Sequence, residues 1–375
     1  MESIEEIISR TGTHYCVECR KCSSACPVTR VNKTFSPARI VELALFGFEN
    51  EVSSTLNIWS CLGCAICTNL CPSGVNFLDF IKEVRKFAIV NGNNGLHAHE
   101  GIFSILAKMM ANSKIKKKND WIDDLKIANK GEVMYFVGCI PFFDIMFKNI
   151  DITPTDTARN TVKILNACGI TPVVAQEEVC CGHDALWNGD EETFKKLAMK
   201  NVKMIKEKGI KKIIFSCPEC YRTFKLDYAC YFDFDVEMIH ISEFIADAIA
   251  KKKISLKGKE AVATYHDPCR LGRHMGIYEE PRSVLKTIDG LELKEMDHTK
   301  ENALCCGTST WMACTSDSEK MRKERLEEVK MAGANVLITA CPKCQIHFNC
   351  TLSNENMGIE VKDFVTLCGE QLEIP

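Results

Sequence analysis

Two cysteine runs near the start of the chain share one spacing, Cys16-x-x-Cys19-x-x-Cys22-x-x-x-Cys26-Pro27 and Cys61-x-x-Cys64-x-x-Cys67-x-x-x-Cys71-Pro72. A second pattern follows. It reads Cys139, then Cys180-Cys181-Gly182, then Cys217-Pro218-Glu219-Cys220. It recurs as Cys269, then Cys305-Cys306-Gly307, then Cys341-Pro342-Lys343-Cys344. These patterns take in eighteen of the 23 cysteines. Thiolates at regular spacing point to metal. Cysteines that merely pack as small hydrophobes have no reason to repeat Cys-Cys-Gly and Cys-Pro-x-Cys.

In the N-terminal runs, a Cys-x-x-Cys-x-x-Cys loop wraps three corners of an iron–sulfur cube. The fourth cysteine, followed by proline, turns away to serve the other cluster, as in two-cluster bacterial ferredoxins. This assigns Cys16, Cys19, Cys22 and Cys71 to one [4Fe-4S] cluster, and Cys61, Cys64, Cys67 and Cys26 to a second. Structural zinc fits less well, because it uses separated Cys-x-x-Cys pairs. Between the runs, Ser36 is placed to cap a helix that opens with Pro37, and Phe77–Val90 reads as another helix. The expected module is therefore helical and moves single electrons.

Downstream, the pattern repeats at about 125 residues, the length of a repeated domain rather than of a short motif. Apolar runs at 133–137 and 261–265 precede the first cysteine of each copy. Runs at 212–216 and 335–339 precede Cys-Pro-x-Cys, each after an amphipathic helix at 191–208 or 318–332. Strands alternating with helices predict an α/β fold with parallel sheets, whose working residues gather beyond the carboxyl ends of the strands. Five thiolates per copy exceed what a cube or a zinc ion takes. Vicinal cysteines diverge around one metal and bridge two irons more easily, which points to an opened or expanded cluster.

The repeat resembles the paired cysteine-rich CCG domains of the heterodisulfide reductase family. The N-terminal segment resembles that family's small iron–sulfur subunit. Their order in one chain is similar to the fused catalytic subunit of the membrane-linked enzymes of methanogens. The resemblance implies two cubane and two non-cubane [4Fe-4S] clusters, and a small-molecule disulfide substrate such as that of coenzymes M and B. It also implies an electron-donating flavoprotein or membrane cytochrome as partner. A disulfide takes two electrons, whereas ferredoxin-type clusters deliver them singly. Two metal centres facing one cavity can each meet one sulfur. The catalytic candidates are then Cys139, Cys180, Cys181, Cys217, Cys220, Cys269, Cys305, Cys306, Cys341 and Cys344.

Acidic tails on such a disulfide need cations, and the cleaved thiols need protons. Lys343, Arg270, Arg273, His183, His266 and His274 lie within a few residues of the ligands. Lys343 stands out because Glu219 occupies its place in the other copy. Trp187 and Trp311 are expected to wall the two halves. Two features depart from many relatives: Thr308-Ser309-Thr310-Trp311-Met312 replaces a glycine-rich run, and Arg270 stands where histidine is common. They keep open a second reading, an electron-transfer iron–sulfur subunit of a flavoprotein dehydrogenase acting on glycolate, lactate or glycerol 3-phosphate.

The 375 residues exceed one ordinary domain. The motifs divide them into a ferredoxin-like domain at 1–94, a linker at 95–130, and CCG domains at 131–257 and 258–375. A net charge of -3 argues against nucleic acid as a partner. There is no secretory signal, no stretch of about 20 apolar residues and no Gly-x-Gly-x-x-Gly fingerprint. A cytoplasmic protein is expected, membrane-associated if at all through a partner. The lysine runs at 114–118 and 251–253 read as solvated. Cys168, Cys230, Cys314, Cys350 and Cys368 fall outside the patterns and are expected to be buried.

Overall fold

The computed structural model describes residues 3–113, 120–150, 152–233 and 235–374, so the lysine run at 114–118 lies outside the described residues. The chain forms two compact units. One contains Met1–Met109, Gly182–Lys195 and Leu304–Glu324, and the other Met110–Cys181, Lys196–Ala303 and Arg325–Pro375.

Short helices build the first unit. Ser36 caps the helix Pro37–Leu45, its Oγ accepting from the Arg39 N–H at 3.2 Å, with Pro37 in the first turn where no N–H is needed. The helix Phe77–Val90 buries Phe77, Phe80, Ile81, Val84, Arg85 and Ala88 along one stripe, the spacing of an amphipathic helix. Arg85 is the exception in that apolar stripe. Its guanidinium donates to the carbonyls of Ile58 at 2.8 Å, Cys61 at 2.6 Å and Trp187 at 2.9 Å. A buried guanidinium needs such acceptors, and these carbonyls need donors. Residues 96–103 also pack in this unit. Ala98 N–H donates to Trp311 O at 2.8 Å, Ala313 N–H to Leu96 O at 2.8 Å, and Phe103 stacks on Trp311 at 4.1 Å.

Strands β1 (Val133–Phe136), β2 (Lys212–Phe215), β3 (Glu237–His240), β4 (Ser255–Leu256), β5 (Ala261–His266), β6 (Leu291–Leu293), β7 (Val336–Thr339), β8 (Glu360–Asp363) and β9 (Leu372–Glu373) belong to the second unit. Two parallel sheets run β1-β2-β3 and β6-β5-β7-β8, and β4 pairs antiparallel with β9. The order β5-β7-β8 repeats β1-β2-β3, so the sequence repeat is a structural repeat. Its first copy keeps only a trace of the β6 edge: Val173 N–H donates to Val133 O at 2.8 Å, and Val173 O accepts from Tyr135 N–H at 3.0 Å. The strand interiors are buried, as parallel sheets covered on both faces require. The strands start and end within about a residue of the apolar runs that predicted them. The helices Glu191–Lys208 and Ser316–Met331 precede β2 and β7. Among the described residues no helix is long and apolar enough to cross a membrane.

Candidate metal centres

In each N-terminal run the residues on either side of the middle cysteine are left-handed, Glu18 and Arg20 in the first, Gly63 and Ala65 in the second. These reversals curl three cysteines around one point. Cys16, Cys19, Cys22 and Cys71 line one cavity, together with Cys67, Pro72 and Phe77. Cys26 lies with the other run. Burial, and then the neighbouring Cys64 and Cys61, push its thiol up to about 12. Cys67 is pushed up by burial, Cys61, Cys64 and Cys26. Crowded, desolvated thiols resist ionising because their charges repel; a bound cation reverses that sign. The donor sets thus fit iron–sulfur clusters chemically. Backbone N–H groups already point at sulfur, Gly63 to Cys61 and Val75 to Cys71, both at 3.4 Å.

The first CCG set gathers beyond the carboxyl ends of β1 and β2. Cys217 occupies the N-cap position of the helix Pro218–Arg222 and Pro218 opens its first turn, so Cys-Pro-x-Cys is a helix start that sets its second thiol one turn on. Cys181 and Cys220 are in contact, and both thiols are raised. For Cys181 the contact with Cys180 leads, followed by burial; for Cys220 the contacts with Cys181 and Cys217 lead. A Cβ on Gly138 would stand 3.1 Å from Cys220 Sγ, so the turn before Cys139 runs against that sulfur.

Three residues outside the motifs hold this set. Glu178, 1% exposed, accepts from the N–H groups of Val137 at 3.2 Å and Gly138 at 2.7 Å. Asn201, on the helix Glu191–Lys208, grips the vicinal pair's backbone at Val179 N–H (3.1 Å) and Cys180 O (3.1 Å). Tyr228 donates to Cys181 O at 3.0 Å. Sequence reasoning passed over them because a buried Asn or Glu carries no spacing signature. The glycine of each Cys-Cys-Gly is left-handed, φ 83° at Gly182 and 89° at Gly307. A side chain there would collide with Phe194 or with the Ser318 carbonyl at 2.8 and 2.5 Å, which accounts for glycine in both copies.

Of the second set, Cys269, Cys341 and Cys344 lie in the second unit, beyond β5 and β7, and Cys341 occupies the N-cap position of the helix Pro342–Leu352 as Cys217 does that of its own. Cys305 and Cys306 belong to the first unit. A ring nitrogen of His266 lies within 4.8 Å of Cys344 Sγ. Arg325 Nε donates to His266 Nδ1 at 3.3 Å, so the neutral ring carries its proton on Nε2.

The proposed substrate cations are engaged with protein groups. Lys343 Nζ pairs with Glu219 Oε2 at 2.5 Å. Arg273 donates to the carbonyls of Glu301 at 3.1 Å and Ala303 at 2.7 Å. His183 contacts Asp184 at 3.0 Å and stacks on Trp187. His274 lies between Arg270 (Nη1 to Nε2, 2.8 Å) and Arg222 (Nε to Nδ1, 3.2 Å). A neutral imidazole has one acceptor nitrogen, so only one of these contacts is a hydrogen bond. The other sets two donors face to face.

Trp187 and Trp311 are both buried in the first unit, Trp311 against Phe103 and Trp187 against His183. One expectation needs correction. Of the five cysteines outside the patterns only Cys368 is buried; Cys168 and Cys350 are half-buried, and Cys230 and Cys314 exposed. Cys314 is held out on a turn in which Thr310, Trp311 and Ala313 are all left-handed.

Residues 12–75 match the model of a 4Fe-4S dicluster domain, and residues 133–225 and 263–349 that of the cysteine-rich CCG domain. The chain is 32% identical over 353 residues to a subunit of the dihydromethanophenazine:CoB–CoM heterodisulfide reductase of Methanosarcina acetivorans, covering 91% of this chain and 82% of that protein. It is 28% identical over 359 residues to a subunit of the CoM/CoB fumarate reductase of Methanothermobacter marburgensis, covering 92% and 69%. It is 26% identical over 325 residues to the EtfAB:quinone oxidoreductase of Syntrophomonas wolfei, covering 78% and 43%. With a dicluster domain followed by two CCG domains, the chain belongs to the heterodisulfide reductase family of iron–sulfur oxidoreductase subunits.

Proposed function

We propose that this chain reduces a small disulfide, the coenzyme M–coenzyme B heterodisulfide being the first candidate, as one subunit of a complex. Cys139, Cys180, Cys181, Cys217 and Cys220 would hold one non-cubane [4Fe-4S] cluster, and Cys269, Cys305, Cys306, Cys341 and Cys344 would hold the other. Cys16, Cys19, Cys22 and Cys71, and Cys61, Cys64, Cys67 and Cys26, would hold two cubane clusters, with a flavoprotein or membrane cytochrome as the partner that would supply the electrons. The observation that carries the reading is the complete set of five cysteines in both CCG copies. Five thiolates per site exceed the four that a simple electron-carrying cube takes, which favours a reacting site.

The clusters, when bound, supply electrons one at a time. The protein's own part is positioning. The two Cys-Pro-x-Cys helix starts aim paired thiolates from the ends of parallel strands. Glu178, Asn201 and Tyr228 hold the backbone of the first set by the contacts given above. Arg325 orients His266 by donating to its Nδ1, which leaves Nε2–H as the donor of the neutral ring. Reducing a disulfide to two thiols takes two electrons and two protons, and His266 is a candidate to pass one of those protons.

Anaerobic assay of the purified chain with reduced viologen and a panel of disulfides tests the reading. Turnover of the heterodisulfide supports it. No turnover of any disulfide, with electron acceptance from a flavoprotein dehydrogenase instead, favours the electron-transfer alternative. The substitution of the glycine-rich run by residues 308–312 is the feature that keeps that alternative in play.

A further inference from the structure

The helix Phe77–Val90 turns an apolar stripe inward, and Arg85 stands in that stripe, 1% exposed. The acceptors of its guanidinium include the carbonyls of Ile58 (3.0 Å from Nε, 2.8 Å from Nη2), Cys61 (2.6 Å), Trp59 (3.3 Å) and Trp187 (2.9 Å). Its Cζ also lies 5.6 Å from the centre of the Trp59 ring. A neutral amide could donate to such carbonyls, whereas a buried charge is costly. The charge itself calls for a further explanation, and the group beside it is Cys61, a cluster ligand in the two-cluster reading.

Cys26, Cys61, Cys64 and Cys67 are all 7–9% exposed. In the other set Cys19 is exposed, and Cys16, Cys22 and Cys71 are half-buried. Reduction adds negative charge to a site that four thiolates already make anionic. Burial disfavours charge taken from water, so by itself the buried set holds an added electron less readily than the exposed one. A backbone N–H at 3.4 Å from sulfur is common to both sets, Gly63 to Cys61 and Val75 to Cys71, and does not separate them. Charge does. Glu18, Arg20 and Lys21 at the exposed set are of both signs and stand in water, which screens them. Arg85 is buried, where a single charge acts far more strongly on its neighbours.

We propose that Arg85 is a redox-positioning residue: its buried positive charge, set against the backbone of Cys61, raises the reduction potential of the cluster held by Cys26, Cys61, Cys64 and Cys67 and offsets the cost of burying it. The step this favours is a one-electron transfer onto that site from the cluster held by Cys16, Cys19, Cys22 and Cys71. No bond is made or broken and no proton moves. Arg85 acts through its field and through the Cys61 carbonyl it holds. The proposal rests on the two-cluster reading of the N-terminal domain.

Anaerobic redox titration of the cluster-loaded chain, followed by EPR, reads both potentials, with Cys19→Ser and Cys61→Ser assigning the signals. In the parent the buried site is expected to be reduced at a potential no lower than the exposed one. Arg85→Gln keeps amide donors and removes the charge. The reduction equilibrium constant of the buried site is then expected to fall about ten-fold, or about 59 mV for one electron, with the exposed site unmoved. Arg85→Lys keeps the charge and is expected to show less than half of that shift. A role in packing alone lowers the thermal midpoint or the iron content and leaves the potential where it was. An unshifted buried site in iron-loaded Arg85→Gln, or equal shifts in the Gln and Lys variants, overturns the proposal. If Arg85→Gln takes up no iron at that site, the order in the parent decides: a buried site reduced only after the exposed one overturns it. Failure of the two-cluster reading has a different signature: Cys61→Ser would then lose neither iron nor a signal.

Discussion

Lys343 and Glu219 occupy the same position of the two Cys-Pro-x-Cys turns, and they are paired with each other, Nζ to Oε2 at 2.5 Å. Both side chains are a tenth exposed or less. The difference between the two copies, which reads in sequence as a device for an unsymmetrical substrate, is therefore also a bond between the copies. It ties together the helix starts that carry Cys217 and Cys220, and Cys341 and Cys344.

Removing one partner of a buried pair leaves the other charge desolvated, at a cost of about 3–5 kcal/mol. Lys343→Met and Glu219→Met are each expected to lower the thermal midpoint of the cluster-loaded protein by several degrees. The double variant should lose clearly less than the two added together. Additive losses would mean that the pair is not coupled, and Lys343 would return as a candidate for binding the substrate.

Cluster ligation separates by site. About sixteen irons per chain are expected if all four clusters are [4Fe-4S]. Cys19→Ser and Cys61→Ser should each remove or convert one cubane and leave the other's EPR signal. Cys26→Ser should resemble Cys61→Ser, and Cys71→Ser should resemble Cys19→Ser. The reverse pairing would refute the crossover of the fourth cysteines, and a zinc-dominated metal content would refute the clusters altogether.

The vicinal cysteines should matter to chemistry and not to the wiring. Cys181→Ala and Cys306→Ala are expected to abolish viologen-linked disulfide reduction while the two cubane signals persist. Turnover retained in either variant removes that residue from the reacting site.

A buried carboxyl gives a pH signature. Asp363 caps the helix Phe364–Glu370, accepting from Thr366 N–H at 2.9 Å, and burial raises its pKa from 3.8 to about 6. Because the folded value lies above the unfolded one, the stability it contributes is complete below pH 4 and lost as pH rises through about 6. Asp363→Asn keeps a capping oxygen and removes the charge. At pH 7 it should be more stable than the parent by on the order of 1–3 kcal/mol, the advantage vanishing toward pH 4. Denaturation of both proteins across that range checks it; a difference independent of pH would show that Asp363 does not titrate there.

Cysteine spacing and the alternation of apolar runs with amphipathic helices were enough to read the helical dicluster module, the repeated parallel α/β units and the eighteen candidate ligands. They work because they are local. Pro37, Pro218 and Pro342 start helices where their missing N–H costs nothing, and strands such as β2 and β7 are apolar because both faces are covered. What the tertiary structure alone decided is how charged and polar side chains far apart in the chain are matched. Arg85 collects carbonyls from 58–61 and 187, Asn201 and Tyr228 hold the Cys180–Cys181 backbone, and Lys343 finds Glu219. A buried charge or amide must find a partner, but any acceptor brought near by the fold will serve. Its identity therefore leaves no periodicity or spacing in the sequence to read.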